Sequence, residues 1–296
     1  VSDLQDRAYL VTGATSGLGF ETALALATRG ARVFLGCRTA ASGAAAAVAL
    51  RARARRDLAV EPLPFDLGDL SSVRAAAEAF AARRVPLAGL VNNAGVAGAR
   101  GLAPSGVELA FGVNHLGHFL LTRLLEEPLR AGAPSRVVHV ASEAHRAART
   151  LDFAALRRPT RSLTGLPEYG ASKACNILFS RELARRWAGS GVISLAVHPG
   201  GIATGIWRHV PGPLRWLITR KMPAAAEGAR PIVRCATSPE LAGANGRYFD
   251  GEREAEPSAL ASDDALAARL WDESEALAEL RPAVLPDRAQ TLWIER

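Results

Sequence analysis

From Ala8 onward the chain alternates two patterns. Short apolar runs rich in β-branched residues, at Ala8 to Thr12, Arg32 to Gly36, Val60 to Phe65, Leu87 to Asn92, Ser135 to Ala141 and Val192 to Val197, read as strands. Between them lie longer Ala, Leu and Arg stretches of helical character, at Gly17 to Arg29, Ser42 to Arg56, Leu70 to Arg83, Pro104 to Leu129 and Glu168 to Trp187. This rhythm predicts an α/β fold, a doubly wound parallel sheet with helices on both faces and connections of one hand. After Pro199 the pattern loosens into a Pro-rich segment with tryptophans. A helix from Ala224 to Cys235, a short strand near Arg247 to Phe249 and a helix near Ser262 to Glu279 follow. No internal repeat or interdomain linker interrupts the chain. A single domain is expected over 1–281, with a C-terminal tail at 282–296.

Composition narrows the class without naming an activity. With 296 residues, 49% hydrophobic and 22% charged, the chain is long enough for a full core and has the make-up of a globular protein. The net charge of +7 rests almost wholly on arginine, since Lys173 and Lys221 are the only lysines. The arginines are spread along helical stretches without interleaved aromatics, which speaks against a nucleic-acid platform. No apolar stretch is long enough to cross a membrane and Val1 to Arg7 is polar, so the expectation is a cytoplasmic protein. An anchor removed upstream would instead make it membrane-associated. Cys37, Cys175 and Cys235 are too few and too scattered for a disulfide framework, and no CxxC pair suggests zinc.

The first strand runs into Thr12-Gly13-Ala14-Thr15-Ser16-Gly17-Leu18-Gly19 and then a helix. Glycines at a tight strand-to-helix turn let backbone approach a pyrophosphate, and the helix start supplies N–H groups and positive dipole. This marks a Rossmann-type dinucleotide site, although the G-x-x-x-G-x-G spacing differs from the commoner fingerprint. NAD-binding folds usually place a carboxylate about 20 residues further on to hold the adenosine ribose. Here no acid occurs between Glu21 and Asp57, and Cys37-Arg38 ends the second strand. A guanidinium there suits the 2′-phosphate of NADP(H); a solvated surface arginine is the alternative.

Tyr169-Gly170-Ala171-Ser172-Lys173 sets a phenol and an ammonium on one helix face. The ammonium would lower the phenol's pKa toward the range useful for acid/base work. With three tyrosines and two lysines in the chain, such a pair arises by chance only about 0.02 times.

These residues resemble the short-chain dehydrogenase/reductase family, from about Asp6 to Phe249. Its glycine motif is similar to Thr12 to Gly19, its strand-four motif to Asn92-Asn93-Ala94-Gly95, and its catalytic set to Asn114, Ser142, Tyr169 and Lys173. The resemblance implies an oxidoreductase that passes a hydride between NADP(H) and a carbonyl or alcohol. In it Tyr169 exchanges the proton with the substrate oxygen, Ser142 hydrogen-bonds that oxygen, Lys173 holds the nicotinamide ribose, and Asn114 supports a water-linked proton relay. Asp66 and Leu67 would contact adenine, with a helix cap the other reading of Asp66. Pro199, Gly200, Ile202 and Thr204 would meet the carboxamide and pyrophosphate. The stretch Phe111 to Phe119 and the Ser142-to-Tyr169 spacing with Leu151-Asp152-Phe153 look most like the retinol-dehydrogenase-like branch, which implies an apolar substrate.

Four further readings follow. His115 and His118 have a metal spacing but no acidic or Cys partner, so no metal is expected and both read as structural. A homodimer is expected from the resemblance and from the apolar stretches of Pro104 to Leu129 and Glu168 to Trp187. Segment 201–223, with Trp207, Val210, Leu214 and Leu217 at helical spacing, reads as an amphipathic substrate lid. A packed connection interrupted by Pro211 and Pro213, or a peripheral membrane contact, are its alternatives. The rival functions are a sugar-nucleotide epimerase or dehydratase and a non-enzymatic dinucleotide sensor.

Overall fold

The computed structural model describes residues 2–201 and 224–280. Ile202, Thr204, the expected lid apart from Gly201, and the C-terminal tail lie outside the described residues.

Eight strands form one sheet in the order β3-β2-β1-β4-β5-β6-β7-β8. They are β1 Ala8–Thr12, β2 Arg32–Cys37, β3 Val60–Pro64, β4 Leu87–Asn92, β5 Ser135–Val140, β6 Val192–His198, β7 Tyr248–Asp250 and β8 Arg253–Glu254. All pairings from β3 to β7 are parallel. The edge ribbon β7–β8 is antiparallel; β7 overlaps the strand expected near Arg247 to Phe249, while β8, two residues long, has no sequence signal.

Alternation along each strand feeds two cores. Leu10, Phe34, Leu90 and Val137 face one side, beneath helices Leu70–Ala81, Gly117–Leu124, Leu166–Arg186 and Asp264–Leu277. Tyr9, Val11, Val33, Leu35, Val91 and Val138 face the other, where helices Gly17–Thr28, Ala40–Ala54 and Ala225–Thr237 cover them. The strand order reverses between β1 and β4, and a crevice opens there at the carboxyl ends of the strands.

Two expectations change. The single helix over Pro104 to Leu129 is instead a turn followed by pieces: α-helical Leu109–Phe111, a π-helical turn Gly112–Leu116, α-helical Gly117–Leu124, and Glu126–Ala131 after a break at Leu125. Pro104 sits in a turn closed by Ala103 N–H donating to the Val107 carbonyl at 2.8 Å. Glu108 caps the helix start by accepting from Phe111 N–H at 2.8 Å. The second change concerns the dimer argument. Phe119, Leu120, Leu121, Leu178, Phe179 and Leu183 are buried within the chain's own core, so these six side chains are not ones a partner would meet. The homodimer then rests on resemblance alone.

Candidate active site

A cavity of about 1390 Å³ lies across the switch point. Its walls include Gly13, Thr15, Ser16, Gly17, Leu18, Gly19, Arg38, Asp66, Leu67, Asn93, Ala94, Gly95, Ser142, Tyr169, Lys173, Pro199 and Gly200. All the expected site residues among those described therefore meet in one place, except Asn114, which stands behind the wall.

At the dinucleotide end, Gly13 and Gly17 have φ of 66° and 55°, the left-handed region where glycine is favoured. At Gly19 a Cβ would lie 2.3 Å from the Gly13 carbonyl oxygen, so only glycine lets the helix start this close to the turn. Ser16, the N-cap, makes no side-chain bond to the first-turn amides, and no acid stands in that turn. By contrast Thr39 and Asp69 cap their helices through Ser42 N–H and through Ser71 and Ser72 N–H. Open amides at the start of a twelve-residue helix fit a bound pyrophosphate. The capping alternative for Asp66 is thereby answered: Asp69 is the cap, and Asp66 accepts from Gly68 N–H at 2.8 Å within the turn. Arg38 is exposed on the cavity wall just past β2. Among the described residues Glu21 pairs with Arg53 and Asp57 with Arg51, leaving Arg38 unopposed by either.

At the catalytic end, the helix Leu166–Arg186 presents Tyr169 and Lys173 one turn apart, and both are buried. Lys173 Nζ donates to the Val140 carbonyl at 2.7 Å and stands 5.8 Å from the Tyr169 ring centroid. Burial pushes the Lys173 pKa down to about 8. The expected depression of Tyr169 is not met: burial raises its pKa above the usual 10, and only the hydrogen bond from Ser142 pulls it back. In the protein alone the phenol keeps its proton. Ser142 lies two residues past β5 and caps a short 3-10 turn, its Oγ accepting from Ala144 N–H at 3.2 Å.

Asn114 is fully buried in the π-helical turn. Its Oδ1 accepts from Val96 N–H at 2.8 Å, and its Nδ2 donates to the Val96 carbonyl at 3.0 Å and to Ser172 Oγ at 2.9 Å. Ser172 Oγ in turn donates to the Tyr169 carbonyl at 2.8 Å. The side chain thus ties Val96, just past the strand-four motif, to the helix that carries Tyr169 and Lys173.

Three contributors escaped sequence reasoning. Thr12 Oγ1 accepts from Asn93 N–H and Ala94 N–H, both at 2.9 Å. The buried His145 holds the Ser142 carbonyl through Nδ1 at 2.7 Å while its Nε2 accepts from Ser258 N–H at 3.1 Å. Ser42 joins the wall near Arg38. The first two act across 81 and 113 residues of chain, so no local pattern could announce them. His115 and His118 are buried, with pKa values pushed down to about 3 and about 4. Among the described residues no group of three or more His, Cys, Asp or Glu side chains stands together to hold a metal.

Comparison with known proteins accords with this geometry. A family model described as short chain dehydrogenase matches residues 7–155. The WW domain-containing oxidoreductase of Danio rerio is 41% identical, over 94% of this chain and 70% of its own length. Retinol dehydrogenase 13 of Homo sapiens is 39% identical, over 93% of this chain and 85% of its own. A crystal structure of an uncharacterized protein from Mycobacterium Paratuberculosis superposes with a TM-score of 0.72 at 34% identity, covering 93% of this chain and 94% of that one. The Pseudomonas aeruginosa RhlG/NADP active-site complex gives 0.66 at 26% identity, over 84% and 96%.

Proposed function

Because the chain belongs to the short-chain dehydrogenase/reductase family, in its retinol-dehydrogenase-like branch, and is an oxidoreductase by that membership, we propose that it interconverts a carbonyl and an alcohol on a small apolar molecule with NADP(H). The reading is carried by the convergence of Ser142, Tyr169 and Lys173 in one cavity wall that also takes in the glycine turn and Arg38. When bound there, the dinucleotide supplies or accepts the hydride.

The chain's own residues do the rest. Ser142 is placed to hydrogen-bond a substrate oxygen, and Tyr169 to give or take its proton. A phenol whose pKa burial holds up carries its proton at neutral pH, as a donor to a carbonyl oxygen must. Lys173, still largely protonated at neutral pH with a pKa of about 8, offers N–H donors to the ribose. Asn114 keeps the Val96 segment and the Tyr169 helix in register. Ala99, Pro104, Leu109, Val113 and Leu166 line the remaining wall, which suits an apolar substrate. Arg38 supplies a planar two-pronged donor for a 2′-phosphate. By resemblance the enzyme is a homodimer, and its composition suits the cytoplasm; among the described residues no helix is long and apolar enough to cross a membrane.

Oxidation of NADPH against a panel of aldehydes and ketones tests the reading. NADPH is expected to bind at least about tenfold tighter than NADH, and Arg38→Asp to erase or invert that preference. Tyr169→Phe is expected to abolish turnover with NADPH affinity nearly unchanged. Equal affinity for both dinucleotides overturns the NADP(H) assignment, and turnover retained by Tyr169→Phe overturns the acid/base assignment.

A further inference from the structure

The two histidines singled out by their spacing have different surroundings. His115 Nε2 pairs with Ser274 Oγ at 2.9 Å, its Nδ1 finds no hydrogen-bond partner among the described residues, and its ring packs among Phe111, Phe119 and Phe179. His118, equally buried, uses both nitrogens on the machinery of the site. We propose that His118 is a positioning residue that fastens the dinucleotide-binding turn to the segment carrying Asn114, one ring nitrogen serving each side. The proposal deepens the dinucleotide reading of the cavity and rests on it.

The chemistry of the partners assigns the protons. His118 Nδ1 lies 3.0 Å from the Asn114 backbone oxygen, which can only accept, so Nδ1 carries the hydrogen. In the neutral ring Nε2 is then a bare acceptor, and Thr12 Oγ1 stands 2.8 Å from it. Thr12 Oγ1 already accepts from Asn93 N–H and Ala94 N–H. Its single proton is therefore free to go to Nε2, the nearer acceptor, since the alternative, the Val91 carbonyl, is at 3.3 Å. Asn93 Nδ2 closes the unit by donating to the Thr12 carbonyl at 2.7 Å.

One imidazole thus joins the end of β1, the end of β4 and the π-helical turn. Movement at Thr12 passes directly to Gly13 and to the Asn93 and Ala94 amides. Movement at the Asn114 backbone passes through its side chain to Val96 and Ser172, and from Ser172 to Tyr169. With 1% of its surface exposed, His118 has no water to stand in for either bond.

Two amide side chains separate the halves of the link. In His118→Asn the amide sits where Nδ1 was, so the Asn114 carbonyl keeps a donor and Thr12 loses its acceptor. In His118→Gln the amide reaches the place of Nε2, so Thr12 is served and the Asn114 carbonyl is not. Amide hydrogen exchange by NMR on the cofactor-free protein reads the two sides, and NADPH fluorescence titration reads affinity. His118→Asn is expected to speed exchange at Asn93 and Ala94 about tenfold, and to raise the NADPH Kd by a similar factor. His118→Gln is expected to speed exchange chiefly at Val96, with the smaller change in Kd. Uniform loss of protection at all three amides, or none, overturns the proposal. So does a crossed exchange pattern without the crossed effect on Kd. Unmodified protein that binds no NADPH overturns the functional reading itself, and the exchange pattern distinguishes that failure from failure of the link.

Discussion

Asn114 offers the sharpest test of how the site is held together, because its work is countable. Replacement by alanine removes three hydrogen bonds of a fully buried side chain, two to the Val96 backbone and one to Ser172. Ser172 Oγ keeps its bond to the Tyr169 carbonyl, so the loss falls on the N–H and C=O of Val96. Val96 is partly buried on the cavity wall, so each backbone group left without its partner costs about 1 kcal/mol, the low end of the range for buried groups, and the pair roughly 2 kcal/mol. In a domain of this size that lowers Tm by about 5 °C. Asn114→Asp is expected to fare no better, since a second carboxylate oxygen would face the Val96 carbonyl. Thermal unfolding followed by circular dichroism measures the loss, and exchange at the Val96 amide localises it. A Tm within about 2 °C of the unmodified protein would refute the reasoning, because it would mean that the Val96 segment finds other partners or needs none.

Two other outcomes follow from the geometry. Gly19→Ala places a methyl 2.3 Å from the Gly13 carbonyl oxygen and 2.5 Å from Asn93 Nδ2, so NADPH affinity is expected to fall at least about tenfold while the fold survives; titration showing unchanged affinity would reject the close approach. For Lys173, burial lowers the folded pKa from 10.5 to about 8. Between those values the unfolded lysine holds a proton that the folded one has released, so raising the pH stabilises the folded state. The stability of the unmodified protein minus that of Lys173→Met is therefore expected to rise from pH 8 to 10.5 in urea titrations, and a flat difference would contradict it.

Much of this protein is written locally. The strand and helix rhythm, the glycine turn after β1 and the Tyr169–Lys173 spacing each depend on residues within a turn or two of one another, where periodicity and steric rules act directly. Even the missing acid after β2 is a local fact, and Arg38 stands on the cavity wall where that reading put it. The π-helical turn is different. A pattern of apolar spacing from Pro104 to Leu129 reads as one helix, but Gly117 passes so near the Leu67 carbonyl that a Cβ would sit 2.2 Å from it, and the path of the chain is set by that crossing. The helix cap was misassigned to Asp66 as an alternative because two acids, Asp66 and Asp69, precede one helix start, and only the fold shows which oxygen meets the free amides. The apolar faces of the two long helical stretches pose a related problem: such faces look alike in sequence whether they meet a partner or their own sheet, and only the fold shows Phe119, Leu178 and Phe179 turned to the core. Tertiary structure alone also decided the directions in which these groups shift, since the lowered Lys173 and the raised Tyr169 pKa follow from desolvation by the surrounding fold. Short-range pattern specifies which elements form and which chemical groups they carry. Which buried donor meets which acceptor depends on closures such as Thr12 to His118, 106 residues apart, and these exist only once the sheet has brought β1, β4 and the Asn114 turn together.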